Sequence, residues 1–114
     1  MSYDIAVLDD TYRYVKEVHI GESIHSLLFR SLVTPEDYPF LGKVKAEKEE
    51  DFIVPPEQVS ELAAELDKLE ARVKGEKRMP DAVKEKCLDF VGQLREACDA
   101  AKKIGKSVDF VAGE

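Results

Sequence analysis

The stretch PEQVSELAAELDKLEARVKGEKRMPDAVKEKCLDFVGQLREACDAAKKIG, residues 56–105, decides the fold of this 114-residue chain. Apolar residues recur in it at spacings of three and four, which is the periodicity of an amphipathic α-helix. Pro56 suits a first helical position and Gly75 ends the first run of the pattern, so we predict a helix over residues 56–75. Its apolar stripe consists of Val59, Leu62, Ala63, Leu66, Leu69 and Val73.

A second long helix is predicted over residues 81–104, with Gly105 as its C-terminal stop. Only a few residues, including Pro80, separate the two helices. A connection this short favours an antiparallel αα-hairpin in which one apolar stripe packs on the other. The stripe of the second helix consists of Val83, Cys87, Phe90, Val91, Leu94, Cys98, Ala101 and Ile104.

Outside this helix pair, apolar and polar side chains alternate, which is typical of β-strands. The alternation covers residues 3–8 and 12–20, and the turn-forming residues Asp9, Asp10 and Thr11 lie between them. We therefore predict an antiparallel hairpin at the N-terminus. Residues 108–112 alternate again and are predicted to add a C-terminal strand to the same sheet.

The segment between the hairpin and the helix pair gives mixed signals. Residues 24–33 are apolar on most of a helix circumference, which predicts a short buried helix with Ser23 as its N-cap and Pro35 at its end. Residues 34–51 predict an irregular connection that can include one helical turn after Pro35, and a connection of this length indicates a functional or mobile segment. Residues 52–54 can add a short strand.

This order of elements predicts a single α+β domain over residues 1–114. Its small antiparallel sheet, the N-terminal hairpin plus the C-terminal strand, is packed on one side by the short helix and the long antiparallel αα-hairpin. A chain of 114 residues has close to the commonest size for one domain and buries enough surface for one core.

The chain is acidic, with 17 basic and 24 acidic residues and a formal net charge of -7. This balance argues against nucleic acid as a partner, because phosphate contacts need clustered Lys and Arg. The excess acid either keeps the protein soluble or faces a basic partner. One acidic set, Glu61, Glu65, Asp67 and Glu70, is predicted to line the outer face of the first long helix.

Neither a signal peptide nor a membrane span is predicted. The first ten residues lack a basic region followed by an apolar run, and no apolar stretch approaches the roughly 20 residues that cross a bilayer. We therefore expect a cytoplasmic protein.

Cys87 and Cys98 lie about 16 Å apart along one helix face, so they cannot bond each other and are predicted to be reduced and buried. An intermolecular disulfide or a shared metal is the alternative.

No catalytic motif is present: the sequence lacks a glycine-rich phosphate loop, a nucleophile elbow and a metal-binding Cys or His pair. A two-His, one-carboxylate metal site can be drawn from His19, His25 and an aspartate of the first turn. However, His19 falls on the charged side of its strand, which is predicted to face solvent. We therefore predict no catalytic residue, no metal and no cofactor.

Aromatic residues are the candidate interface residues, because Tyr and Phe are favoured at protein interfaces. The alternative for each is packing over the small sheet. The candidates are Tyr12, Tyr14, Tyr38, Phe40 and Phe110.

The C-terminal strand, residues 107–113, has Asp109 as its single charge and no proline. We expect this edge to pair with a second chain in a two-fold homodimer unless another strand or residues 34–51 cover it. The sequence thus predicts a non-enzymatic, protein-binding or self-associating domain of the adaptor, inhibitor or immunity type. The alternative is a small enzyme or ligand-binding domain that uses His19 or His25 in a shallow pocket.

Overall fold

The computed structural model describes residues 3–45 and 51–112, so residues 46–50 of the predicted irregular connection lie outside the described residues. It has an α+β fold, as predicted. The strands are β1 (Tyr3–Leu8), β2 (Tyr14–Ile20), β3 (Phe52–Val54) and β4 (Val108–Ala112). The helices are α1 over residues 22–32, α2 (Leu41–Lys45), α3 (Val59–Gly75) and α4 (Asp81–Ile104), with a 3-10 turn at Pro56–Gln58 before α3.

The four strands form one antiparallel sheet in the order β2-β1-β4-β3. β1 pairs with β2 from Tyr3 opposite Ile20, and the register shifts at a bulge near Leu8. β4 lies between β1 and β3, so the C-terminal strand is not an edge within the described residues, and the exception in the prediction, another strand that covers it, is met. The pairing of Phe52–Val54 with β4 covers that side and makes β2 and β3 the two edges.

One face of the sheet packs on the helices. The side chains on this face are buried. They are every second residue along each strand, because successive side chains of a strand point to opposite faces of the sheet. They are Tyr3, Ile5, Val7, Val18, Ile20, Val108 and Phe110. They join the apolar stripes of α3 and α4 in one core, and this confirms the prediction of a sheet with a helix pair packed against it.

The helix pair forms as the periodicity indicates. α4 ends at Gly105, which has a left-handed φ of 68°, and the Lys106 N–H donates to the Ala101 carbonyl at 3.0 Å. Glycine adopts this conformation without the steric cost that a Cβ brings. On the surface, the Arg95 guanidinium of α4 bridges Asp67 and Glu70 of α3, at 2.7 and 2.9 Å.

α1 differs from the predicted helix in its start and in its middle. It begins at Glu22, and its N-cap is Gly21 rather than Ser23, whose hydroxyl instead accepts a hydrogen bond from Lys86 of α4 at 3.0 Å. Its middle, His25–Phe29, is a π-helical turn. Within the described residues, none of the helices is both long and apolar enough to cross a membrane.

Candidate functional site

The candidate interface aromatics are divided between the surface and the core. Tyr12 and Tyr14 are 84% and 66% exposed, whereas Tyr38 and Phe110 are buried and Phe40 is half-buried. Phe110 stacks on Phe52 with ring centroids 4.4 Å apart. Of the five candidates, only Tyr12 and Tyr14 therefore expose most of their side chain.

Within the described residues, no helix covers the second face of the sheet. We call it the open face, and it consists of Asp4, Ala6, Val15, Glu17, His19, Ile53, Asp109 and Val111. The strand registers place Glu17, Ala6, Asp109 and Ile53 in one row across all four strands, and His19, Asp4 and Val111 in the next row. The face thus combines exposed aliphatic side chains with three carboxylates.

The turn before β2 holds Tyr12 and Tyr14 at one end of this face. Asp9 Oδ1 accepts hydrogen bonds from the Thr11 hydroxyl at 2.7 Å and from the backbone N–H groups of Thr11 and Arg13. These bonds, the hydroxyl first, lower the pKa of the Asp9 carboxyl. Tyr12 has a left-handed φ of 60°, and its side chain is exposed.

A depression of about 280 Å³ lies beside this turn. Its lining consists of Leu8, Asp9, Asp10, Tyr12, Lys106, Ser107 and Asp109. The Lys106 ammonium pairs with the Asp10 carboxylate there. The pair holds the C-terminal end of α4 against the turn.

The two histidines are not brought together. His19 lies on the exposed open face, where its Nδ1 is 2.7 Å from Asp4 Oδ1. His25 is buried in the π-helical turn, where its Nε2 donates to the Val44 carbonyl at 2.9 Å and its ring stacks on Phe29. Within residues 3–45 and 51–112, no group of three or more His, Cys, Asp or Glu side chains is placed to hold a metal ion.

The segment 34–45 is more ordered than its sequence indicates. It contains a turn at residues 34–38, where the Tyr38 N–H donates to the Thr34 carbonyl at 2.9 Å, and then α2 after Phe40, and it buries Tyr38, Leu41 and Val44. Gly42 lies against Pro35, and a Cβ at this glycine would be 2.7 Å from the Pro35 Cα. The segment therefore packs on the body of the protein as a fixed part of the fold.

Glu65 of α3 holds this segment in place. The prediction that it lines the outer face of the helix is wrong, because its side chain is buried against α2. Its carboxylate accepts the Leu41 N–H at 3.0 Å and the Phe40 N–H at 3.2 Å. These donors at the start of a helix have no partner within the helix itself. Burial raises the Glu65 pKa, and the two backbone hydrogen bonds only partly oppose the rise.

A groove of about 560 Å³ lies between α1 and the connection from α3 to α4. It is lined by Leu27, Ser31, Leu32, Glu76, Arg78, Met79, Pro80 and Val83. Its walls are mainly apolar, with Glu76 and Arg78 at the charged end. No sequence motif indicated this groove, because its residues come from two distant segments.

The cysteines lie in the core, both free and both buried. Burial raises the pKa of the Cys98 thiol to about 12, and it raises the Cys87 pKa as well. A thiol reacts as its thiolate, so both side chains are chemically inert in the folded state.

We expect both thiols to resist a thiol-reactive reagent at pH 8 in the native protein and to react at once in denaturant. The Cys98 pKa alone lowers its thiolate fraction by roughly a thousandfold, because each pKa unit is a factor of ten. The free energy of unfolding of Cys87→Ser should fall by about 1 to 3 kcal/mol, since a hydroxyl is then buried in an apolar site. Rapid labelling of the native protein at both positions would contradict this expectation.

Comparisons with known proteins identify no relative: no family model, no curated protein and no solved structure matches this chain.

Proposed function

We propose that this protein is a non-enzymatic protein-interaction domain of the adaptor, inhibitor or immunity type, and that the open face, together with Tyr12 and Tyr14, is its binding surface. The proposal rests on the positions of the large apolar side chains that are exposed. Tyr12, Tyr14, Val15, Ile53 and Val111 are between 43% and 84% exposed, and all five lie on the sheet or its first turn. Elsewhere in the described residues, only Ile104 on α4 belongs to this class, at 38%.

The side chains of this surface indicate which groups a partner surface carries. Exposed apolar side chains that share one face of a domain favour contact with another protein. Asp4, Glu17 and Asp109 lie between these apolar side chains, so a partner surface that combines apolar and basic groups is complementary to it. The net charge of -7 adds a long-range attraction to such a partner.

The location of the histidines favours this proposal over the enzymatic alternative. A general base or a metal ligand has to point into a concave site with other polar groups. His25 is instead enclosed in the core, and His19 lies on a flat face. The two free, buried cysteines are consistent with a reducing compartment such as the cytoplasm.

The test compares proteins recovered by cross-linking and affinity capture with three tagged forms of the full chain, expressed at native level. They are the wild type, the variant Tyr14→Thr/Ile53→Thr/Val111→Thr, and the control Ile104→Thr. Thr keeps the β preference of the strand positions. We expect the wild type and the control to recover a protein that salt releases. The amount of this protein recovered with the triple variant should be at least tenfold lower.

Matched stability makes this comparison valid. Because the three substituted side chains are exposed, the free energy of unfolding of the triple variant should stay within about 1.5 kcal/mol of the wild type. Recovery of the same proteins by the wild type and a folded triple variant would overturn the proposal. So would a wild type that recovers nothing above the untagged background.

A further inference from the structure

β2 lies at one edge of the sheet, so one side of its backbone has no strand partner within the described residues. With seven residues it is the longer of the two edge strands. We propose that it pairs with β2 of a second copy of this chain across a two-fold axis, with Val18 opposite Val18 of the partner subunit, to form a continuous eight-stranded sheet. This inference goes beyond the proposed binding through the open face, because it concerns the β2 edge of the sheet and names a second copy of the chain as the partner at that edge. It moves the predicted homodimer from the C-terminal strand to the opposite edge of the sheet.

Over residues 16–20, β2 lacks the features that keep natural edge strands from pairing. Such edges are protected by proline, by a short length, by a bulge or by a lysine that points into the approach path. β2 has seven residues and no proline, whereas β3 at the other edge has only three. Its one lysine, Lys16, is held 2.8 Å from Glu96 of α4, on the helical side of the sheet.

The bulge near Leu8 limits which part of β2 can pair. A bulge interrupts the regular ladder, so it blunts the end of β2 that carries Tyr14 and Val15. The regular part is residues 16–20, which match residues 3–7 of β1 one for one. A two-fold pairing that uses all of this regular part is centred on its middle residue, Val18.

Charge selects the same register. Residues that face each other across antiparallel strands point to the same side of the sheet. In two copies of the same strand, two facing residues are therefore an even number of positions apart, and the two-fold axis passes through a residue rather than between two residues. A pairing centred on Lys16 or on Glu17 sets that residue against its own copy, and like charges directly opposite are destabilising. The pairing centred on Val18 instead sets Glu17 opposite His19 of the partner subunit, twice.

The local geometry accepts this pair. His19 Nδ1 is bonded to Asp4 of β1, and its Nε2 has no hydrogen bond within the described residues. In the dimer the imidazole therefore lies between two carboxylates, that of Asp4 and that of Glu17 of the partner subunit.

Sedimentation equilibrium of the full chain tests the association. We expect a mass twice the 12.8 kDa of the chain at micromolar concentrations. Glu17→Lys, which sets a lysine against the partner's His19 at both pairs, should raise the dissociation constant about tenfold or more. The control Glu57→Lys makes the same charge change beyond the β3 edge and should leave the constant unchanged.

Disulfide cross-linking tests the register. Oxidation of a mixture of Glu17→Cys and His19→Cys should give a covalent dimer, because these two positions face each other, whereas either variant alone should not. The wild type under the same oxidant controls for Cys87 and Cys98. A cross-link formed by Glu17→Cys alone would overturn the register.

A wild type that stays monomeric at all concentrations would overturn the dimer. The proposed interaction function would then be judged separately, by whether the capture experiment recovers a different protein through the open face.

Discussion

Replacement of Phe110 by alanine is expected to lower the free energy of unfolding by about 3 to 5 kcal/mol, the usual cost of truncating a buried phenylalanine. Phe110 is fully buried, stacks on Phe52 and lies in β4, which two other strands flank. The cavity left by its ring is therefore enclosed by parts of the structure that cannot easily collapse. Urea unfolding followed by circular dichroism measures the effect.

Val111→Ala is the matched control for this substitution. Val111 is the next residue of the same strand, but it points to the open face and is 43% exposed. We expect it to cost about 1 kcal/mol or less, because little apolar surface leaves the core. Equal losses in the two variants would contradict the assignment of the buried and open faces of β4.

The second large effect is expected at Glu65. Glu65→Ala removes the acceptor for the Phe40 and Leu41 N–H groups, and unpaired buried donors cost about 1 to 3 kcal/mol each. We expect the free energy of unfolding at pH 7 to fall by about 2 to 4 kcal/mol. Glu61→Ala, at an exposed position one turn earlier on α3, should change it by about 0.5 kcal/mol or less.

The pH dependence of the Glu65 contribution has the opposite sign to that of an ordinary paired carboxylate. Burial raises its pKa above the usual 4.5, so the folded state binds this proton more tightly than the unfolded chain does. The stabilisation from this proton is fully present below about pH 4.5 and is lost as the pH rises through the folded pKa.

Glu65→Gln isolates this titration, because the amide keeps an acceptor oxygen and does not titrate. The free energy of unfolding of the wild type minus that of the Gln variant should therefore decrease between pH 4.5 and pH 7. Urea unfolding of both proteins at several pH values measures the difference. A difference that grows with pH would show that the two hydrogen bonds, rather than burial, dominate the Glu65 pKa.

Local patterns were sufficient to predict most of the elements. The helical stripes of α3 and α4 repeat over many turns, and Gly105 marks the end of α4 unambiguously. The alternation in β1, β2 and β4 likewise follows from each strand having one buried face. In each case the period of the side chains reports directly on which side meets the core.

Long-range relations were not predictable in the same way. The position of β4 between β1 and β3 depends on which strands find each other in space, and alternation within β4 is the same at an edge and in the interior. Tyr38 was assigned to a possible interface and Glu65 to a solvated face. Both are buried because α2 packs on α3, a contact between distant segments that no periodicity encodes.

The interior position of β4 also determines when the sheet can be completed during synthesis. On the ribosome, β1, β2 and the helix pair emerge before residues 108–112, and each can form from neighbouring chain. β3 emerges early as well, but its only strand partner in the described structure is β4. Until β4 leaves the exit tunnel, the sides of β1 and β3 that pair with it therefore lack this partner, and their backbone N–H and C=O groups stay unpaired there.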